Sequence, residues 1–69
     1  MERMKLQING EIREISAVSN VQELLKVLGI SESQVAVELN GTIIRRADWE
    51  NTRIAGLDKV EIVQFVGGG

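Results

Sequence analysis

The first thirty residues change period once, from two to three and a half. Met4-Lys5-Leu6-Gln7-Ile8 alternates apolar and polar positions, the signature of a strand with one buried face. Asn9-Gly10 follows. An Asn-Gly pair beside such a segment signals a hairpin, because both residues tolerate positive φ. Glu11 to Ser16 is then the return strand. Ile12 and Ile15 lie an odd number of residues apart, so a regular strand puts only one of them on the core face. A three-residue turn sets Ile12 beside Ile8; a two-residue turn, the form we favour, sets Ile15 on the face of Met4. From Asn20 onward the spacing becomes helical. Val21, Leu24, Leu25 and Leu28 recur at i, i+3, i+4 and i+7, forming one apolar stripe. Asn20 is placed to cap the helix, with Glu23 three residues on as in a capping box. Gly29 supplies a left-handed ending, with Ile30 folding back over the last turn. A helix of about two turns does not persist alone in water, so it must lie across a sheet.

Ser31 to Gln34 is a polar turn. Val35-Ala36-Val37-Glu38-Leu39 alternates again, Asn40-Gly41 is a second hairpin signal, and Thr42 to Arg45 returns. Arg46 to Leu57 has no clear period. Its lone Trp49 reads as a lid on a small core rather than as a binding residue, with Ile54 and Leu57 anchoring the same loop. After a turn at Leu57-Asp58, Lys59 to Gln64 forms the last strand. Val60 and Ile62 point one way, and Glu61, Val63 and Phe65 the other. Apolar residues on both faces suit a central strand. Val63, Phe65 and Val66 either form an exposed docking strip beside the terminus or pack under a loop. Arg45 and Arg46 are a solvated pair or a contact for an acidic partner surface. One helix against a mixed sheet is an α+β design.

Composition narrows the function. Sixty-nine residues allow one domain with a small core. The chain has no cysteine and no histidine, so it lacks a disulfide, a base titrating near neutrality and a thiol nucleophile. Its serines have no nearby base, and its carboxylates lack metal-loop spacing. These absences argue against a stand-alone enzyme and against a bound metal or cofactor. The net charge is −2 with scattered basic residues, one Trp and one Phe, which argues against nucleic acid. No apolar run has the length of a membrane span or an export signal, so the expected location is the cytoplasm, away from any membrane.

The chemistry is expected at the end of the chain, Phe65-Val66-Gly67-Gly68-Gly69. We divide the chain into a single domain over 1–66 and a glycine tail over 67–69. Glycines without Cβ atoms have no preferred backbone basin. With Val66 they reach about 13 Å when extended, far enough to enter a narrow channel of another protein. A glycine terminus alone is often no more than a frayed end, so the preceding residues must carry the argument.

Those residues resemble a known family, the ubiquitin-like β-grasp sulfur carriers, and within it the ThiS carriers of thiamine thiazole synthesis. The resemblance rests on Ile8-Asn9-Gly10, on Asn20-Val21-Gln22-Glu23-Leu24-Leu25 with Gly29, and on Val35-Ala36-Val37-Glu38-Leu39-Asn40-Gly41. It continues through Arg46-Ala47-Asp48-Trp49, Thr52-Arg53 and Asp58-Lys59-Val60-Glu61-Ile62-Val63 to Val66-Gly67-Gly68-Gly69. The resemblance implies a β-grasp fold: a mixed five-stranded sheet in the order β-β-α-β-β-β along the chain, with one helix packed across it. It also implies that a ThiF-type adenylating enzyme, using ATP-Mg, activates the Gly69 carboxylate. A sulfur donor such as a cysteine desulfurase then converts it to a thiocarboxylate, and a thiazole synthase takes the sulfur. Gly67 and Gly68 would thread the tail into both partners' active sites. The chain itself would be a carrier and not an enzyme. The same fold and ending also suit a carrier for molybdopterin synthesis or tRNA thiolation, a protein modifier joined to lysines, or a plain interaction module. One departure is the turn Ala55-Gly56-Leu57-Asp58, less polar than is common in the family.

Overall fold

The computed structural model describes residues 2–65. Five strands, β1 (Arg3–Ile8), β2 (Glu11–Ser16), β3 (Val35–Leu39), β4 (Thr42–Ile44) and β5 (Lys59–Gln64), enclose one helix, α1 (Val21–Leu28), in chain order. The sheet order is β2-β1-β5-β3-β4. The central pair β1 and β5 is parallel, and the neighbours on either side are antiparallel. This is the mixed sheet and single helix that the alternation of periods predicts. β5 is central as expected, but only its Val60 and Ile62 face is buried, and Val63 on the other face is exposed.

The first hairpin takes the two-residue turn. Ile8 pairs with Glu11 and Met4 with Ile15. Ile15 is buried and Ile12 is exposed. Asn9 and Gly10 have φ of 50° and 86°, and Asn40 and Gly41 repeat those values in the second hairpin. Positive φ at both central positions matches the right-handed twist of the flanking strands.

At the start of α1, the Asn20 side chain accepts from the Glu23 N–H at 2.8 Å. The Glu23 carboxylate reaches past the cap residue and accepts from the Ser19 N–H at 2.7 Å. This is a capping box displaced by one residue, still satisfying otherwise unpaired donors. Gly29 ends the helix at φ 72°. The Gly29 N–H donates to the Lys26 carbonyl and the Ile30 N–H to the Leu25 carbonyl, which is the Schellman arrangement.

The helix stripe buries Val21, Leu24 and Leu25 against Leu6, Val37 and Val60 of the sheet. No polar or charged side chain is buried among the described residues, so the interior is purely apolar.

The segment expected to be irregular departs from that expectation in two ways. Arg46–Asn51 winds into a short 3₁₀ turn that presses Trp49 into the core at 3% exposure, as the lid reading requires. The indole N–H donates to the Ile44 carbonyl at 3.0 Å, which meets the polar need of a buried Trp. Ile54 is buried too, but Leu57 is not an anchor: it stands 72% exposed. Leu57 has φ 68°, and this left-handed turn orients the chain so that the Asp58 carboxylate accepts from the Ala55 N–H at 2.8 Å. Turn geometry, rather than burial, fixes this leucine.

Candidate functional site: strand β5 and the open sheet face

Strand β5 is the element that leads to the glycines, and it is held from both sides. On one side β1 contributes only two pairs, Gln7 with Lys59 and Ile8 with Val60, before it turns away. The Asn9 side chain continues the ladder where β1 stops. The Ile62 N–H donates to Asn9 Oδ1 at 2.7 Å, and Asn9 Nδ2 donates to the Ile62 carbonyl at 3.2 Å. A side-chain amide thus stands in for a peptide group.

Asn40 does similar work at the start of β5. It accepts from the Lys59 N–H at 2.9 Å and donates to the Asp58 carboxylate at 3.1 Å. At the far end, the Phe65 N–H donates to the Gln34 carbonyl at 2.8 Å. The strand is therefore tied down as far as Phe65. The roles of Asn9 and Asn40 on β5 escaped the sequence reading, which used them only as turn formers. The available signal was the choice of Asn in both turns, where Gly also satisfies the backbone.

Alternate residues of β5 face away from α1. Val63 is 57% exposed, Phe65 is 56% exposed and Ile43 on β4 is 71% exposed. Val63 and Phe65 therefore do not pack under a loop. Ala36 pairs with Val63, Glu38 pairs with Glu61, and Ile43 pairs with Glu38 across the next ladder. These residues line a shallow concavity of about 420 Å³. Val66, the third residue of the expected strip, lies outside the described residues, as do Gly67, Gly68 and Gly69.

Arg45 and Arg46 are exposed. Neither is drawn into the concavity beside β5; Arg45 lines a separate one with Thr42, Asp48 and Thr52. Among the described residues the one ion pair is Arg3–Glu14, at 3.7 Å, so both arginines are left to solvent. No group of His, Cys, Asp and Glu suited to a metal ion occurs among the described residues. No described helix is long and apolar enough to cross a membrane. The body thus offers a closed apolar interior, an open sheet face and a well-anchored strand running toward the glycines.

Comparison with known proteins places this geometry. The ThiS family profile matches residues 6–69, glycines included. A thiazole synthase of Paramagnetospirillum magneticum is 46% identical over 96% of this chain, which spans 20% of that protein's length. The sulfur carrier protein ThiS of Bacillus subtilis is 34% identical over 93% of this chain and 98% of its own. In three dimensions the chain is similar to the crystal structure of the thiamine biosynthesis protein ThiS from Geobacter metallireducens. The TM-score is 0.79 at 36% identity, covering 96% of this chain and all of the other. That likeness identifies the sheet and helix as the β-grasp fold. With the profile match spanning nearly the whole chain, this protein belongs to the ThiS family.

Proposed function

We propose that the chain carries sulfur on the carboxylate of Gly69 for formation of the thiazole ring of thiamine. What carries this reading is the extent of the family match, which runs through residue 69 and so takes in Gly67-Gly68-Gly69. A carboxylate is a poor acyl donor, because its charge is delocalised and oxide is a poor leaving group. A ThiF-type adenylating enzyme removes that obstacle. A Gly69 carboxylate oxygen attacks the α-phosphorus of ATP, held with Mg by that enzyme, and pyrophosphate leaves. The mixed anhydride has AMP as a good leaving group. Hydrosulfide displaces AMP from the acyl carbon directly. Where a cysteine desulfurase supplies the sulfur as a persulfide, its outer sulfur displaces AMP to give an acyl disulfide. A thiol then cleaves that S–S bond, leaving as the new disulfide and releasing the thiocarboxylate. The product is a thiocarboxylate, nucleophilic near neutral pH. A thiazole synthase is the acceptor, and the relative that joins this kind of region to that enzyme supports the pairing.

The division of labour follows from the chemistry. The partners provide ATP, magnesium and catalytic groups. This chain provides the acyl end, a tail slim enough at Gly67 and Gly68 to enter both active sites, and a docking face at Val63, Phe65 and Val66. The cytoplasm, the location expected from the sequence, is compatible with the use of ATP and a desulfurase.

Intact-protein mass spectrometry tests the proposal. The natural protein is incubated with ATP, magnesium, sulfide and its adenylating enzyme. Exchange of one terminal oxygen for sulfur adds about 16 Da, as expected for substitution at an acyl carbon. Alkylation and fragmentation must place the change on Gly69, because oxidation adds nearly the same mass. An unchanged Gly69, with an adenylating enzyme active on its own control carrier, overturns the reading.

A further inference from the structure

The open face of the sheet carries a feature that folding does not explain. Glu38 of β3 and Glu61 of β5 are directly opposite each other. The Phe65 N–H to Gln34 carbonyl bond sets the phase of this antiparallel ladder. Counting back in steps of two makes Glu38 and Glu61 a hydrogen-bonded pair, with Cα atoms about 5.5 Å apart. Both side chains rise from the same face, and like charges directly opposite each other destabilise a sheet. No cation relieves them: among the described residues the one ion pair is Arg3–Glu14. Lys59, two residues before Glu61 on the same strand face, pairs with neither.

The two carboxylates stand in the apolar concavity with Ala36, Ile43 and Val63. An apolar surface with two unneutralised negative charges at its centre fits a partner of defined chemistry. That partner presents aliphatic or aromatic side chains to Ile43 and Val63 and a guanidinium to the two carboxylates. Arginine suits this task better than lysine, because its planar fork can donate to two carboxylates at once. A second copy docking face to face through the same concavity does not fit, since it would set a second carboxylate pair against the first.

We propose that this concavity is the docking surface for the thiazole synthase, which seats an arginine between Glu38 and Glu61 and apolar side chains against Ile43 and Val63. The proposal rests on the sulfur-carrier reading. The thiazole synthase is chosen because a relative joins a region like this chain to that enzyme in a single polypeptide.

The test is a titration of the full-length carrier against the thiazole synthase of the same organism, at low and high salt, by calorimetry. Wild type is compared with the double variant Glu38→Gln/Glu61→Gln and with Ile43→Ser. The double variant is expected to bind about tenfold or more weakly, with most of the salt dependence lost. Its thermal midpoint is expected to stay level or rise, because a like-charge pair is relieved. Reduced affinity with undiminished stability is an outcome that a purely structural role for the glutamates cannot produce. Ile43→Ser tests the apolar half and is expected to weaken binding without altering the salt dependence. If wild type binds and the double variant binds equally well, the docking proposal fails while the carrier reading stands. If the double variant loses binding only to the adenylating enzyme, the occupant is wrong and the proposal is overturned. If wild type shows no binding to an active thiazole synthase, the docking proposal also fails. Thiocarboxylate formation on Gly69 then decides separately whether the carrier reading survives.

Discussion

The two faces of the sheet are made by the same strands, and they differ in almost every other respect. On β5, Val60 and Ile62 point toward α1 and are buried, while Glu61 and Val63 point away and are exposed. On β3, Val37 is buried within the core and Glu38 faces outward beside Ile43. The inner face is closed by one short helix and by Trp49, and it contains no buried polar side chain. The outer face mixes apolar and charged residues and has no covering layer among the described residues. A protein this small has one core to stabilise it. The inner face accordingly carries stability, and the outer face is free to hold groups, such as the Glu38–Glu61 pair, that work against it. Recognition can then change without repacking the core.

The strongest way to break this contrast is to damage the inner face. Leu24 is fully buried in the helix–sheet seam. Leu24→Ala is expected to cost about 2–5 kcal/mol through lost burial and a residual cavity. A core of this size supplies only about 3–5 kcal/mol of net stability, so much of the population should be unfolded at room temperature. Urea denaturation followed by circular dichroism reads the loss directly. A cost near zero would mean that the helix is not the lid of this core.

The next effect sharpens the contrast at the turns. Asn9→Gly preserves a residue comfortable at φ 50° but removes both side-chain hydrogen bonds to Ile62. At about 0.5–1.5 kcal/mol each, the expected cost is about 1–3 kcal/mol, with faster hydrogen exchange at the Ile62 amide. Asn40→Gly removes two bonds as well, but both are exposed. Water replaces them, and the expected cost is below about 1 kcal/mol. Equal costs for the two variants would show that the turns, and not the grip on β5, are what the asparagines provide.

These same residues show what sequence can reveal. The strands, the helix and both hairpins were legible because each rests on local rules: alternation, a 3.6-residue stripe, Asn-Gly turns and a Gly29 ending. The register of the first hairpin was legible because only one of Ile12 and Ile15 can face the core. The 3₁₀ turn over Arg46–Asn51 was not, because so short a winding leaves no period to read. Leu57 misled because an apolar side chain predicts burial, while this leucine occupies a left-handed turn that lets the Asp58 carboxylate accept from the Ala55 N–H. The second role of Asn9 depends on Ile62, which is distant in sequence and is brought beside it only by the parallel pairing of β1 with β5. The Glu38–Glu61 pair was hidden for the same reason. Each glutamate alone reads as an ordinary polar position on a strand. Of the expected docking residues, Val63 lies on β5 and Phe65 directly follows it, whereas Arg45 and Arg46 begin a different element at the sheet's edge.

The smallest expected effect on stability falls on the outer face, and it is the most informative for function. Val63 and Phe65 are each more than half exposed, so Val63→Thr and Phe65→Ser remove little buried apolar area. Exposed substitutions of this kind typically shift stability by less than about 0.5 kcal/mol, and the urea midpoint should barely move. If this face docks a partner, the same changes remove apolar anchors that become buried only in the complex. Loss of such an anchor typically costs more than about 1 kcal/mol of binding. A variant that folds like wild type yet needs severalfold more carrier to saturate sulfur transfer would place recognition on the outer face and stability on the inner one. If Val63→Thr and Phe65→Ser instead melt the domain as Leu24→Ala does, the two faces are not independent. The apolar strip on β5 would then belong to the fold before it belongs to any partner.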